Sequence, residues 1–253
     1  MTAVGRVRAT FLASWHSFLR RRTAVFFTFF FPVIIVLIFG ALVQTQPTGG
    51  GLFAEPPGYY VPGYLAVVVL FTPLSRIGSS IARHREGNRF EKLATTPLTR
   101  VEWLLAQTLV NVVVIGLAAL ALLVLTVLVT GLSLPLSAET LLVVPFVVLG
   151  VTLFCGLGAI IGRVADSQDG VIAASNTIAL PLLFLSETFV TPSLLPAWFR
   201  PAVDLSPLTY FARGVRAVTY ADASGGALSN LAVLAALAAV FFAAGAYAIP
   251  RTD

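Results

Sequence analysis

Six stretches of the chain lack charged residues, and each is long enough to cross a lipid bilayer. A hydrocarbon core about 30 Å thick needs about 20 apolar residues at 1.5 Å of helical rise each. The runs are Thr23–Gln46, Pro56–Ser75 (continuing past Arg76 to about Ala82), Trp103–Leu134, Thr140–Gly162, Gly170–Ser186 and Ala223–Pro250. A charge at mid-bilayer costs about 2.5–3.5 kcal/mol, and the charges fall almost entirely between these runs. The composition agrees, with 58% hydrophobic and 11% charged residues. A soluble domain carries about 25% charged residues, and this chain lacks the polar surface to cover a soluble core. The predicted fold is an all-α integral membrane protein with six transmembrane helices in a single transmembrane domain, residues 1–253.

Lysine and arginine set the orientation. With the N-terminus inside, the cytoplasmic face carries Arg6, Arg8, Arg20, Arg21, Arg22, Arg76, Arg83, Arg85, Arg89, Lys92, Arg100, Arg163 and Arg251. The outer face keeps Arg200, Arg213 and Arg216. The positive-inside rule therefore predicts both termini in the cytoplasm. The net charge of +5 reads as a topology signal, and no basic-aromatic cluster of the nucleic-acid-binding kind is present. The expected location is a cell membrane, as a multi-pass protein.

Residues 1–22 are too charged to span. Val4, Val7, Phe11, Trp15, Phe18 and Leu19 recur at helical spacing opposite Arg6, Ser17, Arg20 and Arg21. This predicts an amphipathic helix on the cytoplasmic membrane surface, with packing on other protein as the alternative. Two connecting segments are long, 83–102 inside and 188–222 outside, and function is expected there.

The chain lacks an engine of its own. No Gly-rich phosphate loop precedes the single lysine, Lys92, and no HExxH or Cys/His cluster offers a metal site. Cys155 is the only cysteine and sits inside an apolar run. His16 and His84 both lie on the cytoplasmic side, so hydroxyl chemistry within the membrane has no base. Ion-driven carriers place ionisable groups within their spans, and here Glu187 at the end of the fifth run is the main exception. Glu187 reads either as an interfacial carboxylate or as part of a permeation path. A self-powered transporter or channel is the alternative to a pathway driven by another subunit.

The inner segment reads Arg85-Glu-Gly-Asn-Arg-Phe-Glu-Lys-Leu-Ala-Thr-Thr-Pro-Leu-Thr-Arg-Val-Glu102. It resembles the corresponding loop of ABC type-2 exporter permeases at Glu86, Gly87, Glu91, Leu93, Thr96, Pro97, Thr99, Arg100 and Glu102. Asn88-Arg89 departs from the commoner Gly-Thr. A second likeness covers Leu183-Phe-Leu-Ser-Glu-Thr-Phe-Val-Thr-Pro192, Leu195-Pro-Ala-Trp198, Leu205-Ser-Pro-Leu-Thr-Tyr210 and Gly214-Val-Arg216. Glu187 stands where the family has a small residue.

The resemblance implies a permease subunit of an exporter for amphipathic or lipid-like cargo. Its ATP would be bound by a separate cytoplasmic ATPase subunit, so this chain is expected to hold no cofactor and to be no enzyme. A second permease subunit would complete the pathway. Arg85, Glu86, Gly87, Phe90, Glu91, Leu93, Thr96, Pro97 and Arg100 are the expected ATPase-coupling residues, with Phe90, Leu93 and Leu98 as apolar anchors. The outer segment would form short re-entrant helices. Ser186, Glu187, Pro192, Pro196, Trp198, Pro207, Tyr210 and Arg216 are expected at the outer gate, and Arg213 or Arg216 would face the outer headgroups or pair with Asp204. Asn176, Thr177, Ser186 and Phe189 are pathway candidates as polar or aromatic positions on the fifth run alone, with helix packing as the equal alternative.

Overall fold

A computed structural model describes residues 2–38, 55–131, 138–190, 195–220 and 226–250. These residues are helical, with no strand among them. The elements are α1 (Ala3–Leu19), α2 (Arg22–Val36), α3 (Val61–Glu86), α4 (Arg89–Ala94), α5 (Arg100–Thr130), α6 (Val143–Val164), α7 (Gln168–Phe184), α8 (Arg200–Val203), α9 (Pro207–Thr219) and α10 (Ala227–Ala248).

Four helices are long and apolar enough to cross a membrane: Gly58–Glu86, Arg100–Thr130, Glu139–Val164 and Ala227–Ala248. They carry the second, third, fourth and sixth apolar runs. The first run is seen as α2, 15 residues long; the remainder of that run, from residue 39, lies outside the described residues. The fifth run is α7, 17 residues, a rise of about 25 Å. The loop at 132–137, Pro192 and most of the turn region after the first run lie outside the described residues.

Local sequence explains the helix ends. Thr99 and Glu102 form a reciprocal capping box that starts α5 three residues before the apolar run begins. Gly131, at φ +66, closes α5 in the left-handed conformation. Pro201 and Pro207 stand in the first turns of α8 and α9, where a missing N–H costs nothing. The prolines of the outer segment therefore start helices as well as separate them.

The core gathers around α3 and α6. Along α3, Leu65, Leu70, Leu74, Ile77 and Ile81 are fully buried. Glycines let α6 approach its neighbours at backbone distance. A Cβ on Gly158 would lie 2.5 Å from the Leu74 carbonyl oxygen of α3, and one on Gly245 of α10 would lie 2.5 Å from that of Gly156. Apolar lipid gives helices no hydrophobic reason to associate, so close packing of small residues supplies the attraction.

The N-terminal helix does not lie apart from the bundle. Phe18 is buried against Val110 and Val114 of α5, with Phe11, Trp15 and Val25 packed around them. The Gln107 amide donates to the Ser14 hydroxyl at 2.8 Å, and Arg6 pairs with Glu102. Going along α1 the contacts climb α5, so the helix runs beside the first turns of α5. Val4 and Leu19, expected on its apolar face, are exposed.

Candidate coupling and gate sites

The first site is the turn joining α3 to α5. Gly87 caps α3, and Asn88 adopts φ 48, ψ 35. That left-handed conformation suits glycine and, next to it, asparagine. The departure from the family's Gly at this position therefore preserves the backbone shape.

Several of the expected coupling residues are engaged within the chain. Arg85 Nη1 donates to the carbonyls of Arg163 at 3.0 Å and Ala165 at 2.9 Å, at the C-terminal end of α6. Those carbonyls lack helical partners, and a cation there also complements the helix dipole. Glu86 accepts from the Gln168 amide at 3.2 Å. Arg100 donates to the Tyr247 carbonyl at the end of α10 at 3.0 Å. Thr96 donates to the Leu93 carbonyl at 2.7 Å, closing the turn after α4. Phe90 is 4% exposed and packs on His84 and Trp103, with ring centroids 5.4 and 5.7 Å away. Its side chain turns into the bundle, so it fastens α4 to its own chain. Leu93 and Leu98 are half-buried, while Glu91, Lys92, Thr95, Thr96 and Pro97 are exposed.

Next to this ridge lies a cavity of about 750 Å³. Phe90, Leu93, Leu98 and Trp103 line one side, and Phe242, Tyr247 and Pro250 the other.

Glu102 joins this site to the N-terminus. Its Oε2 accepts from the Thr99 N–H at 2.9 Å and from Arg6 Nε at 3.0 Å. The hydrogen bond to Glu102 raises the Arg6 pKa above its ordinary value. The long-range pairing escaped the sequence reading, although Thr-x-x-Glu before an apolar run is a legible capping signal.

The second site lies where α7 ends. The Ser186 hydroxyl donates to the Leu183 carbonyl at 2.8 Å and lies 3.0 Å from the Thr188 hydroxyl. Both side chains are buried. The turn they form presses on α3: a Cβ at Gly63 would meet the Thr188 carbonyl at 2.8 Å. Phe189 stands beside Tyr64, centroids 6.2 Å apart.

Glu187 is 7% exposed. Its carboxylate is gripped in two-pronged fashion by Arg213, with Nε donating to Oε2 at 2.8 Å. Arg213 Nη1 also pairs with Asp204 at 2.8 Å. The Glu187 hydrogen bonds raise the Arg213 pKa further above its usual value. Glu187 is thus a buried carboxylate with a cation partner of its own chain. Arg213 makes the pair with Asp204, and Arg216 does not. Arg216 donates to the Glu187 carbonyl at 2.6 Å and the Tyr59 carbonyl at 3.2 Å, with its guanidinium 3.9 Å from the Tyr59 ring centroid. Burial lowers the Arg216 pKa, opposed by its aromatic and acidic neighbours. Tyr59 was absent from the sequence-predicted set.

The other outer residues scatter. Tyr210 donates to the Asp204 carbonyl at 2.9 Å, and Pro207 opens α9. Pro196 accepts the Phe199 N–H at 2.9 Å. Trp198 is 79% exposed and packs edge-on against Phe199. On α7, Asn176 and Thr177 are exposed.

The described residues form a helical bundle with a charged, self-braced turn at one end of α3 and a buried ion-pair knot at the other. The chain belongs to the ABC-2 type transporter family, whose match covers residues 6–220. It is 29% identical over 224 residues to the daunorubicin resistance ABC transporter permease protein DrrB1 of Streptomyces coeruleorubidus, covering 83% of this chain and 74% of that protein. It is 24% identical over 213 residues to the putative transport permease ycf38 of Porphyra purpurea, covering 83% and 71%.

Proposed function

We propose that this chain is the translocation subunit of an ATP-driven exporter. Six spans carry both termini to the cytoplasm, and a separate ATPase subunit docks on the turn holding α4. A second permease subunit, a copy or a relative, completes the pathway. The cargo is amphipathic and drug-like or lipid-like; the likeness to a permease named for daunorubicin resistance supports that class.

The observation that carries this reading is the division of labour in the 83–102 segment. Arg85, Glu86, Phe90 and Arg100 brace it against α5, α6, α7 and α10. Glu91, Lys92, Thr95 and Pro97 remain as an exposed ridge on a rigid mount. A surface that must transmit a push needs both properties, because packed elements move as bodies between discrete arrangements. The exposed Asn176 of α7 supports a protein or water-filled neighbour over lipid, since a bare amide in hydrocarbon is costly. At the other end, α8 and α9 are taken as re-entrant helices in the outer leaflet, where irregular backbone survives only against protein or water. The Glu187–Arg213–Asp204 pairs then seal the exit in the resting state.

The test replaces Glu91 and Leu93 together by alanine and reconstitutes the variant with the ATP-binding cassette ATPase that co-purifies with the wild-type chain. Co-purification of the ATPase, or substrate-stimulated ATP hydrolysis, should fall at least tenfold while the melting temperature of the purified chain holds. Undiminished association and transport would remove the coupling assignment.

A further inference from the structure

Arg76 lies deeper in an apolar helix than any other described ionisable residue, about ten residues or 15 Å before the end of α3. It takes no part in the coupling turn or the gate. Its guanidinium stacks over Phe18, 4.3 Å from the ring centroid. Its Nη1 is buried and meets no hydrogen-bond acceptor among the described residues. A buried donor in that position keeps the full cost of leaving water.

Two more arginines converge on it. Arg21 follows Phe18, whose ring lies under Arg76, by three positions at the corner between α1 and α2, and Arg83 stands two turns on from Arg76 along α3. Among the described residues no carboxylate forms an ion pair with any of the three. On α3, Thr72, Arg76, Ser79 and Arg83 fall at i, i+4, i+7 and i+11, one stripe of the helix, and all four are half-buried. Three cations without an ion-pair partner among the described residues, one of them holding a buried free donor, call for an anion. The walls say which kind. The ring of Phe18 and its neighbours Trp15 and Val25 are apolar. Beyond Arg22, α2 presents Phe26, Phe27, Phe30 and Phe31, each more than 40% exposed. A charged mouth followed by an exposed aromatic face fits a molecule with an anionic head and apolar tails.

We propose that Arg21, Arg76 and Arg83 bind the phosphate of an anionic phospholipid, whose acyl chains lie along the phenylalanine face of α2. In the orientation proposed above this lipid belongs to the cytoplasmic leaflet, where anionic headgroups attract basic side chains.

The test is native mass spectrometry of the purified full chain in detergent with phosphatidylglycerol or phosphatidylcholine added. Binding in detergent depends neither on orientation nor on an ATPase, so its failure leaves the exporter reading standing and strikes only this site. The wild-type chain should retain phosphatidylglycerol in several-fold excess over phosphatidylcholine. Arg76→Gln should lower that retention roughly fivefold, the scale of one basic contact near a lipid surface. Arg21→Gln, at an exposed corner that tolerates change, should act in the same direction if Arg76→Gln does not fold. Arg200→Gln, remote from the cluster, should leave it unchanged. Millimolar inorganic phosphate should not displace the lipid; displacement would mean a site for free anions and would overturn the lipid assignment. Equal retention of the two lipids by wild type, or wild-type retention by Arg76→Gln, or by Arg21→Gln where Arg76→Gln does not fold, would overturn it as well.

Discussion

A single backbone angle accounts for the most visible departure from the family's pattern. Asn88 sits at φ 48, a region that costs an ordinary side chain about 1–2 kcal/mol. Asn88→Gly should therefore be neutral for ATPase association, whereas Asn88→Val should weaken it several-fold by tilting α4; a pull-down with the ATPase subunit checks both. Glu187 departs from the family in another way, because a large acid replaces a small residue in a buried turn. The position is workable because Arg213 lies within reach to take both oxygens. Breaking the pair leaves a buried carboxylate unmatched, but Arg213 remains about a third exposed, which softens the loss. A double-mutant cycle on Glu187→Ala and Arg213→Ala should give a coupling of about 1–2 kcal/mol, read from unfolding in detergent. A coupling near zero would show that the knot does not hold the gate.

Among the elements, α1 is the one whose placement sequence periodicity leaves most open. Its apolar stripe at Phe11, Trp15 and Phe18 marks a buried face, but a stripe does not say whether lipid or protein covers it. The partner is α5, fixed by contacts nearly a hundred residues away in sequence. Arg6→Ala should strip α1 of hydrogen-exchange protection while leaving the first turn of α5 protected. Glu102→Ala should expose both, because that carboxylate also caps α5. If the two variants give the same exchange pattern, Glu102 does not serve both elements. Between α6 and its neighbours the controlling feature is shape. The spacing of Gly158 and Gly162 is a G-x-x-x-G pattern that was legible in the chain, but its targets, Leu74 and Gly78 of α3, were not. Gly156→Val should cost about 3 kcal/mol or more through collision with α10. Gly116→Ala in α5 faces open space and should gain about 0.5–1 kcal/mol through helix propensity.

For the molecule as a whole, the apolar runs announced the helices because a bilayer punishes charge everywhere along a span, which makes the signal long and redundant. The sites rest on few residues and distant partners, and they were legible only as segments. Phe90 illustrates the limit: an aromatic in a charged loop reads as an outward anchor, yet His84 and Trp103 were waiting on its own chain. The proposed topology has a direct check, since Cys155 is fully buried and silent toward impermeant reagents. In sealed right-side-out vesicles, Ser229→Cys should label with a membrane-impermeant maleimide and Asp169→Cys should label only after permeabilisation. The reverse pattern would invert the orientation. The length of α5 has a further implication. Its 31 residues rise about 46 Å, against a hydrocarbon core of about 30 Å. In the proposed orientation the surplus juts into the cytoplasm carrying Arg100, Glu102 and the attached α1. It is a tiller: rocking α5 by about 10° swings a free end of about 16 Å through about 3 Å, as far as a hydrogen bond is long, so a slight lean within the bilayer is enough to part Arg100 from the Tyr247 carbonyl of α10.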